Sequence, residues 1–191
     1  MEAYLDNSAT TRVDAQVQEL MKKLMDVDFG NPSSRHQKGV VAEGYIKDAR
    51  QKIAATLKVD PKELIITSGG TESNNMALIG TALAAKRKGN HIITTAVEHP
   101  SVKATASFLE EQGFRITFLS VDSRGQISLE ELKEALTPDT ILVSIMYVNN
   151  EIGTIQPVEE AAKLVHATVP GAVFHVDAIQ AYGKVMIRPK Q

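Results

Sequence analysis

Apolar residues along this chain follow two alternating periods. Val41, Tyr45, Ala49, Ile53 and Leu57 recur at helical spacing and predict one long amphipathic helix over 40–57. Short apolar runs at 63–67 (ELIIT), 91–96 (HIITTA), 115–121 (RITFLSV), 140–147 (TILVSIMY) and 172–176 (AVFHV) read instead as strands. Segments 13–25, 71–88, 101–112, 129–136 and 158–168 between them read as helices, and Asp14 stands where it can cap the first one or favour its positive end. Gly30-Asn-Pro-Ser-Ser-Arg-His36 and Asp60-Pro61 read as turns. Residues 187–191 read as the exit from a further strand, with no terminal element to close the fold.

Strands this short and this apolar, each followed by a helix, predict an α/β fold with three layers. A mostly parallel sheet would be covered by helices on both faces. In such sheets ligands bind beyond the carboxyl ends of the strands. The segments that follow the strands are therefore the ones to examine: Ser68-Gly-Gly-Thr-Glu72, Val97-Glu-His-Pro100, Asn149-Asn-Glu-Ile-Gly153 and Asp177-Ala-Ile-Gln180.

Composition narrows the class. The 191 residues suit one domain, or one domain and part of another. Hydrophobic content of 43% and charged content of 23% are globular values, and a net charge of −2 gives no basic surface for nucleic acid. The start, Met1-Glu-Ala-Tyr-Leu-Asp6, has no basic segment leading into an apolar one, so no secretory signal is expected. No apolar run approaches the roughly 20 residues of a bilayer span. A cytoplasmic protein with no membrane or nucleic-acid partner is expected. Cysteine is absent, which excludes disulfides, thiolate metal sites and a cysteine nucleophile within these residues.

Ser68-Gly69-Gly70-Thr71-Glu72 lies at a strand-to-helix junction. Glycines let the backbone approach an anion, and the helix start adds unpaired N–H donors. The segment suits a phosphate, yet it is neither a Walker loop nor a G-x-G-x-x-G fingerprint. It fits equally an ordinary turn capped by Thr71 or Ser68. His99 at a strand end could exchange protons or stack on a flat ring; it could also be a surface histidine ahead of a Pro-started helix. Asn149 and Asn150 offer two directional amides, or simply a turn. His175 and Asp177 share one strand face. A carboxylate at the end of a buried strand is costly unless a cation meets it, such as a protonated pyridine nitrogen or a metal; alternatively Asp177 caps the next turn. No third ligand accompanies His175 and Asp177, so no metal site is expected. Lys86-Arg87-Lys88 reads as a solvated helix end.

Taken together in chain order, these segments resemble the class V aminotransferase group of pyridoxal-phosphate enzymes, and within it the NifS/IscS-like cysteine desulfurases. The resemblance runs from Tyr4-Leu-Asp-Asn-Ser-Ala-Thr-Thr11 through Gly30-Asn-Pro-Ser-Ser-Arg-His36, Thr67-Ser-Gly-Gly-Thr-Glu-Ser-Asn74, Glu98-His99 and Val148-Asn-Asn-Glu-Ile-Gly-Thr154 to His175-Val-Asp-Ala-Ile-Gln180. It implies the large domain of a pyridoxal-phosphate-dependent transferase, incomplete over 16–191, with 1–15 belonging to the small-domain and active-site region. It implies that Gly70 and Thr71 hold the cofactor phosphate. His99 would stack on the ring and shuttle protons as a catalytic residue. Asp177 would pair with the ring nitrogen, and Asn150 and Gln180 would bind near the phenolic oxygen. Asn7, Ala9 and Asn31 would lie near the substrate. The implied reaction converts L-cysteine to L-alanine, with sulfur passed on as a persulfide for iron–sulfur cluster or thio-cofactor synthesis. The implied partners are a second copy of the chain and a scaffold or other sulfur acceptor. Another class V lyase or aminotransferase, a split-enzyme half or a non-catalytic binding module would share these residues.

The family's cofactor-bonding lysine stands in a Ser-x-His-Lys segment that this sequence does not contain, and Lys184 and Lys190 stand in no such motif. The mobile-loop cysteine and the carboxylate-binding arginine of the family are also absent. The expectation is therefore a fragment of a longer enzyme, inactive alone, that binds the cofactor weakly or not at all.

Overall fold

A computed structural model describes residues 2–189. Two compact units emerge, one holding 2–66 with 187–189 and the other Thr67–Met186.

In the first unit, α1 (Ala15–Asp26) starts where the Asp14 carboxylate accepts the Gln16 N–H, as expected. The long helix α2 (Gln37–Leu57) begins three residues earlier than the apolar spacing alone predicts, because the His36 ring accepts the Gly39 N–H and caps it. A short 3₁₀ turn, Pro61–Glu63, is closed at both ends: Asp60 accepts the Lys62 N–H, and Glu63 accepts the Asp60 N–H. The strand expected at 63–67 does not form. Its apolar run has the composition of a strand, but a strand needs an adjacent backbone, and no strand of the described residues pairs with it. Ile65 and Ile66 stay 70% and 59% exposed. Residues 178–186 form turns rather than a strand leading to 187, which corrects that expectation as well.

The second unit carries the sheet. Strands β1 (His91–Thr95), β2 (Arg115–Leu119), β3 (Thr140–Met146) and β4 (Val173–Asp177) lie in the order β2-β1-β3-β4, all parallel. Helices α3 (Gly70–Ala85) and α4 (Pro100–Glu111) cover one face. Leu78, Ala82, Val102 and Leu109 pack there on Ile92 and Leu142. Helices α5 (Leu129–Ala135) and α6 (Val158–Thr168) cover the other, where Leu132, Ala161 and Val165 meet Ile93, Val143 and Ile145. This is the predicted three-layer α/β/α arrangement. Strands β1 and β3 are buried throughout because both faces are covered.

From β1 the chain runs through α4 to β2 on one side; from β3 it runs through α6 to β4 on the other. The loops leaving β1 and β3 thus diverge, and a crevice opens at the carboxyl ends of these two neighbouring strands. No helix of the described residues is long and apolar enough to cross a membrane.

Candidate functional site

Residues from α3, the β1 exit, the β3 exit and the β4 exit converge at the carboxyl edge of the sheet. Asp177 is the last residue of β4 and only 7% exposed. Strand alternation turns Phe174 and Val176 toward the α5/α6 core, so His175 and Asp177 face α3 and α4. Asp177 Oδ2 accepts from Asn74 Nδ2 at 2.8 Å, and Oδ1 accepts the Ile179 N–H at 3.1 Å. The turn-capping alternative for Asp177 is therefore part of its work, though it accounts for one oxygen only. Among the described residues no cationic side chain forms an ion pair with this carboxylate. His175 bonds Ser144 Oγ through Nδ1 at 2.9 Å; burial holds its pKa below the ordinary value, against the pull of Asp177. Among the described residues no three His, Cys, Asp or Glu side chains gather to hold a metal.

His99 is the residue just before α4 and serves as its cap. Its Nδ1 accepts the Ser101 N–H at 3.1 Å and lies 2.8 Å from Ser101 Oγ. The ring is half-buried rather than a free surface histidine. Ser101 Oγ in turn accepts from Asn74 Nδ2 at 3.0 Å. His99 and Asp177, 78 positions apart in the sequence, are therefore joined through two intervening side chains.

The glycine turn starts α3. Gly69 occupies the cap position, and neither Ser68 nor Thr71 caps the helix with its side chain, against the simpler reading of this junction. The N–H groups of the first helical turn have no intrahelical acceptor and face outward from the helix start. Ser68 instead donates its N–H and its hydroxyl to the Glu72 carboxylate, both at 2.6 Å, which holds that carboxyl below its usual range. Gly70 sits directly beneath the Ile179 side chain, where a Cβ would collide. The turn and the β4 exit are thus in contact, and glycine is what permits it. Thr71 is exposed.

The two asparagines after β3 separate into different roles. Asn149 Nδ2 donates to the Val97 carbonyl at 2.9 Å, and its Oδ1 accepts the Glu151 and Ile152 N–H groups. Its amide is occupied in building the turn, which leaves the half-buried Asn150 as the amide available to a ligand. Gln180 is half-buried one turn beyond Asp177, with Lys184 Nζ 3.3 Å from its Oε1. Lys190 lies outside the described residues. Asn7, Ala9 and Asn31 belong to the first unit. Asn31 closes its own turn there, accepting the Ser33 N–H on its side chain and the Ser34 N–H on its carbonyl.

Sequence reasoning passed over Glu98, which is 2% exposed at the β1–β3 crevice. Its Oε1 accepts from Thr95 Oγ1 and from the Met146 N–H, both at 2.8 Å, tying the β1 exit to the end of β3. Its Oε2 has no hydrogen-bond partner. Burial pushes its pKa up to about 7, against its two hydrogen bonds, and the charge of Asp177 adds to the rise. A Glu immediately past an apolar strand was the available signal. Asn74 and Ser101 gave no such signal, since each is one polar residue on an otherwise ordinary helix.

Comparison with known proteins identifies the family. The family model described as aminotransferase class-V matches residues 3–191. A putative cysteine desulfurase IscS 1 of Bacillus subtilis (strain 168) is 48% identical over 187 residues, which are 98% of this chain and 49% of that protein. A solved structure titled NIFS-LIKE PROTEIN superposes with a TM-score of 0.96 at 42% identity, over all of this chain and 52% of that one. Another, titled "SspA in complex with cysteine", gives 0.91 at 39% identity, over 97% of this chain and 53% of that one. The chain thus spans about half the length of the relatives it matches.

Proposed function

Because this chain belongs to the class V aminotransferase family, we propose that it is the cofactor-holding half of a pyridoxal-phosphate-dependent cysteine desulfurase. The observation that carries the reading is Asp177, a buried carboxylate at the end of β4 with two neutral donors and, among the described residues, no cation paired with it. A protonated pyridine nitrogen would supply the missing positive charge. The cofactor, when bound, supplies an electron sink for the carbon being deprotonated.

The chain's own residues divide the remaining tasks. The N–H groups of Gly70 and Thr71 and the Thr71 hydroxyl hold the phosphate at the positive end of α3. Asp177 keeps the ring nitrogen protonated. His99 would stack on the ring and serve proton transfer. Asn150 and Gln180 donate toward the phenolic oxygen. Asn7, Ala9 and Asn31, with 1–15 as part of the small-domain region, bind the L-cysteine substrate. A second copy of the chain and a sulfur-accepting scaffold protein complete the assembly, in the cytoplasm. The Ser-x-His-Lys lysine of the family does not occur in these residues, so the chain alone is proposed to recognise the cofactor without turning over cysteine.

Equilibrium dialysis of the chain against pyridoxal phosphate tests this. Binding that weakens sharply in Asp177→Asn supports the reading, and equal binding by both proteins refutes it. Alanine formation from cysteine by the chain alone would refute the proposed inactivity.

A further inference from the structure

A directional chain of hydrogen bonds links the two groups just assigned to the cofactor ring. An ionised carboxylate only accepts, so the group of Asn74 that faces Asp177 Oδ2 is its amide nitrogen. The second hydrogen of that nitrogen goes to Ser101 Oγ. Ser101 Oγ, already accepting, has one hydrogen to give, and His99 Nδ1 lies 2.8 Å away. The Ser101 N–H, which can only donate, points to the same Nδ1 at 3.1 Å. The N–H bond by itself makes Nδ1 an acceptor, the Ser101 hydroxyl is then left to donate to it as well, and the ring proton sits on Nε2.

We infer that Asn74 and Ser101 are positioning residues that transmit the charge of Asp177 to His99 and hold it as the Nε2–H tautomer. This rests on the proposed cofactor reading only for its purpose, not for its geometry. The resting His99 offers a donor, not a base, to whatever lies beyond Nε2. For Nε2 to act as a base, its proton must leave and Nδ1 must become protonated, which breaks the bond that Nδ1 accepts from the Ser101 N–H. Asn74 and Ser101 are 3% and 8% exposed, so water does not compete for these bonds.

Nitrogen-15 NMR of the histidine rings in the ligand-free chain, at about pH 8 where ordinary histidines are neutral, reads the tautomer directly. The expected wild-type result is an unprotonated Nδ1 and a protonated Nε2 at His99. A predominant Nδ1–H signal overturns the inference with no variant needed. In Ser101→Ala the Nδ1–H population should rise about five-fold, the equivalent of one ordinary hydrogen bond. In Asn74→Ala the His99 nitrogen shifts should move although Asn74 does not touch the ring. Unchanged His99 shifts in Asn74→Ala, with His91 signals as in wild type to report an intact sheet, overturn the transmission. Dialysis against pyridoxal phosphate on the same samples keeps the two ideas apart. Loss of the tautomer pattern with cofactor binding intact sinks this inference alone, and absent binding with the pattern intact sinks the cofactor reading alone.

Discussion

At the amino edge of the sheet His91 is fully enclosed and both ring nitrogens are bonded, Nδ1 to Thr137 and Thr140 and Nε2 to Thr117. At the carboxyl edge Glu98 is as deeply buried but leaves one oxygen unpartnered, and Asp177 lies nearby with neutral donors only. Both edges contain buried titratable groups. They differ in whether the fold itself satisfies them. The threonine enclosure has nothing left to offer a ligand, so its polar groups serve stability. At the carboxyl edge, where the loops diverge, no cation among the described residues forms an ion pair with either carboxyl group. Unmet electrostatic demand of this kind marks a binding site.

Replacing Asp177 should break the comparison most visibly. Asp177→Ala should weaken pyridoxal-phosphate binding at least about 100-fold, the cost of leaving one partner of a buried charge pair alone, when measured by dialysis. His91→Ala, at the other edge, should leave that affinity within two-fold, roughly the scatter expected of a remote site.

The next effect is in stability against pH. Glu98 has its pKa raised from 4.5 to about 7, so it stabilises the fold fully below 4.5 and that contribution is lost as pH rises through about 7. The loss amounts to on the order of 3 kcal/mol by pH 9. Glu98→Gln should abolish this decline between pH 4.5 and about 7 in urea unfolding, and an unchanged decline would show that another group carries it.

His91 should produce the opposite limb. Burial lowers its pKa from 6.5 to about 4, with the Arg115 charge acting in the same direction. Its contribution is complete above 6.5 and is lost as pH falls toward about 4. Removing the ring by His91→Ala should cost about 3 kcal/mol at neutral pH, from the cavity and the stranded threonine hydroxyls, and should flatten the acid limb between 6.5 and 4. The two slopes oppose each other between pH 4.5 and 6.5, so together they should give a stability plateau there, falling off above 6.5 through the Glu98 effect and below 4.5 through the His91 effect.

The smallest change concerns the glycine turn at the start of α3. Gly70→Ala forces the Ile179 side chain aside. It should lower thermal stability by about 1–2 kcal/mol, and cofactor affinity by a few-fold at most, since the turn's N–H groups remain. Loss of all binding would mean that the turn's contact with the β4 exit, rather than its donors, holds the phosphate.

Much of this molecule was legible in its residues. Apolar period and turn chemistry placed four of the five expected strands and all six α-helices, because β1 and β3 are buried on both faces and α6 is amphipathic. The one run that failed, 63–67, failed because a strand is defined by a neighbour, which local composition cannot supply. Three of the four site segments do follow a strand, while Ser68-Gly-Gly-Thr-Glu72 follows the unpaired run at 63–67. The division of labour within them was not legible. Asn149 and Asn150 are equivalent in sequence; only the positions of Val97 and the turn made one structural. Glu98, Asn74 and Ser101 became notable only once packing removed water from around them. Hydrogen-bond direction, charge without a counterion and the tautomer of His99 depend on which groups meet across 27 and 103 positions of sequence separation, and a buried group's chemistry is set by those neighbours. Sequence determined which chemical groups stand at the carboxyl edge of the sheet; tertiary structure decided which of them remain unsatisfied, and so free to act on something else.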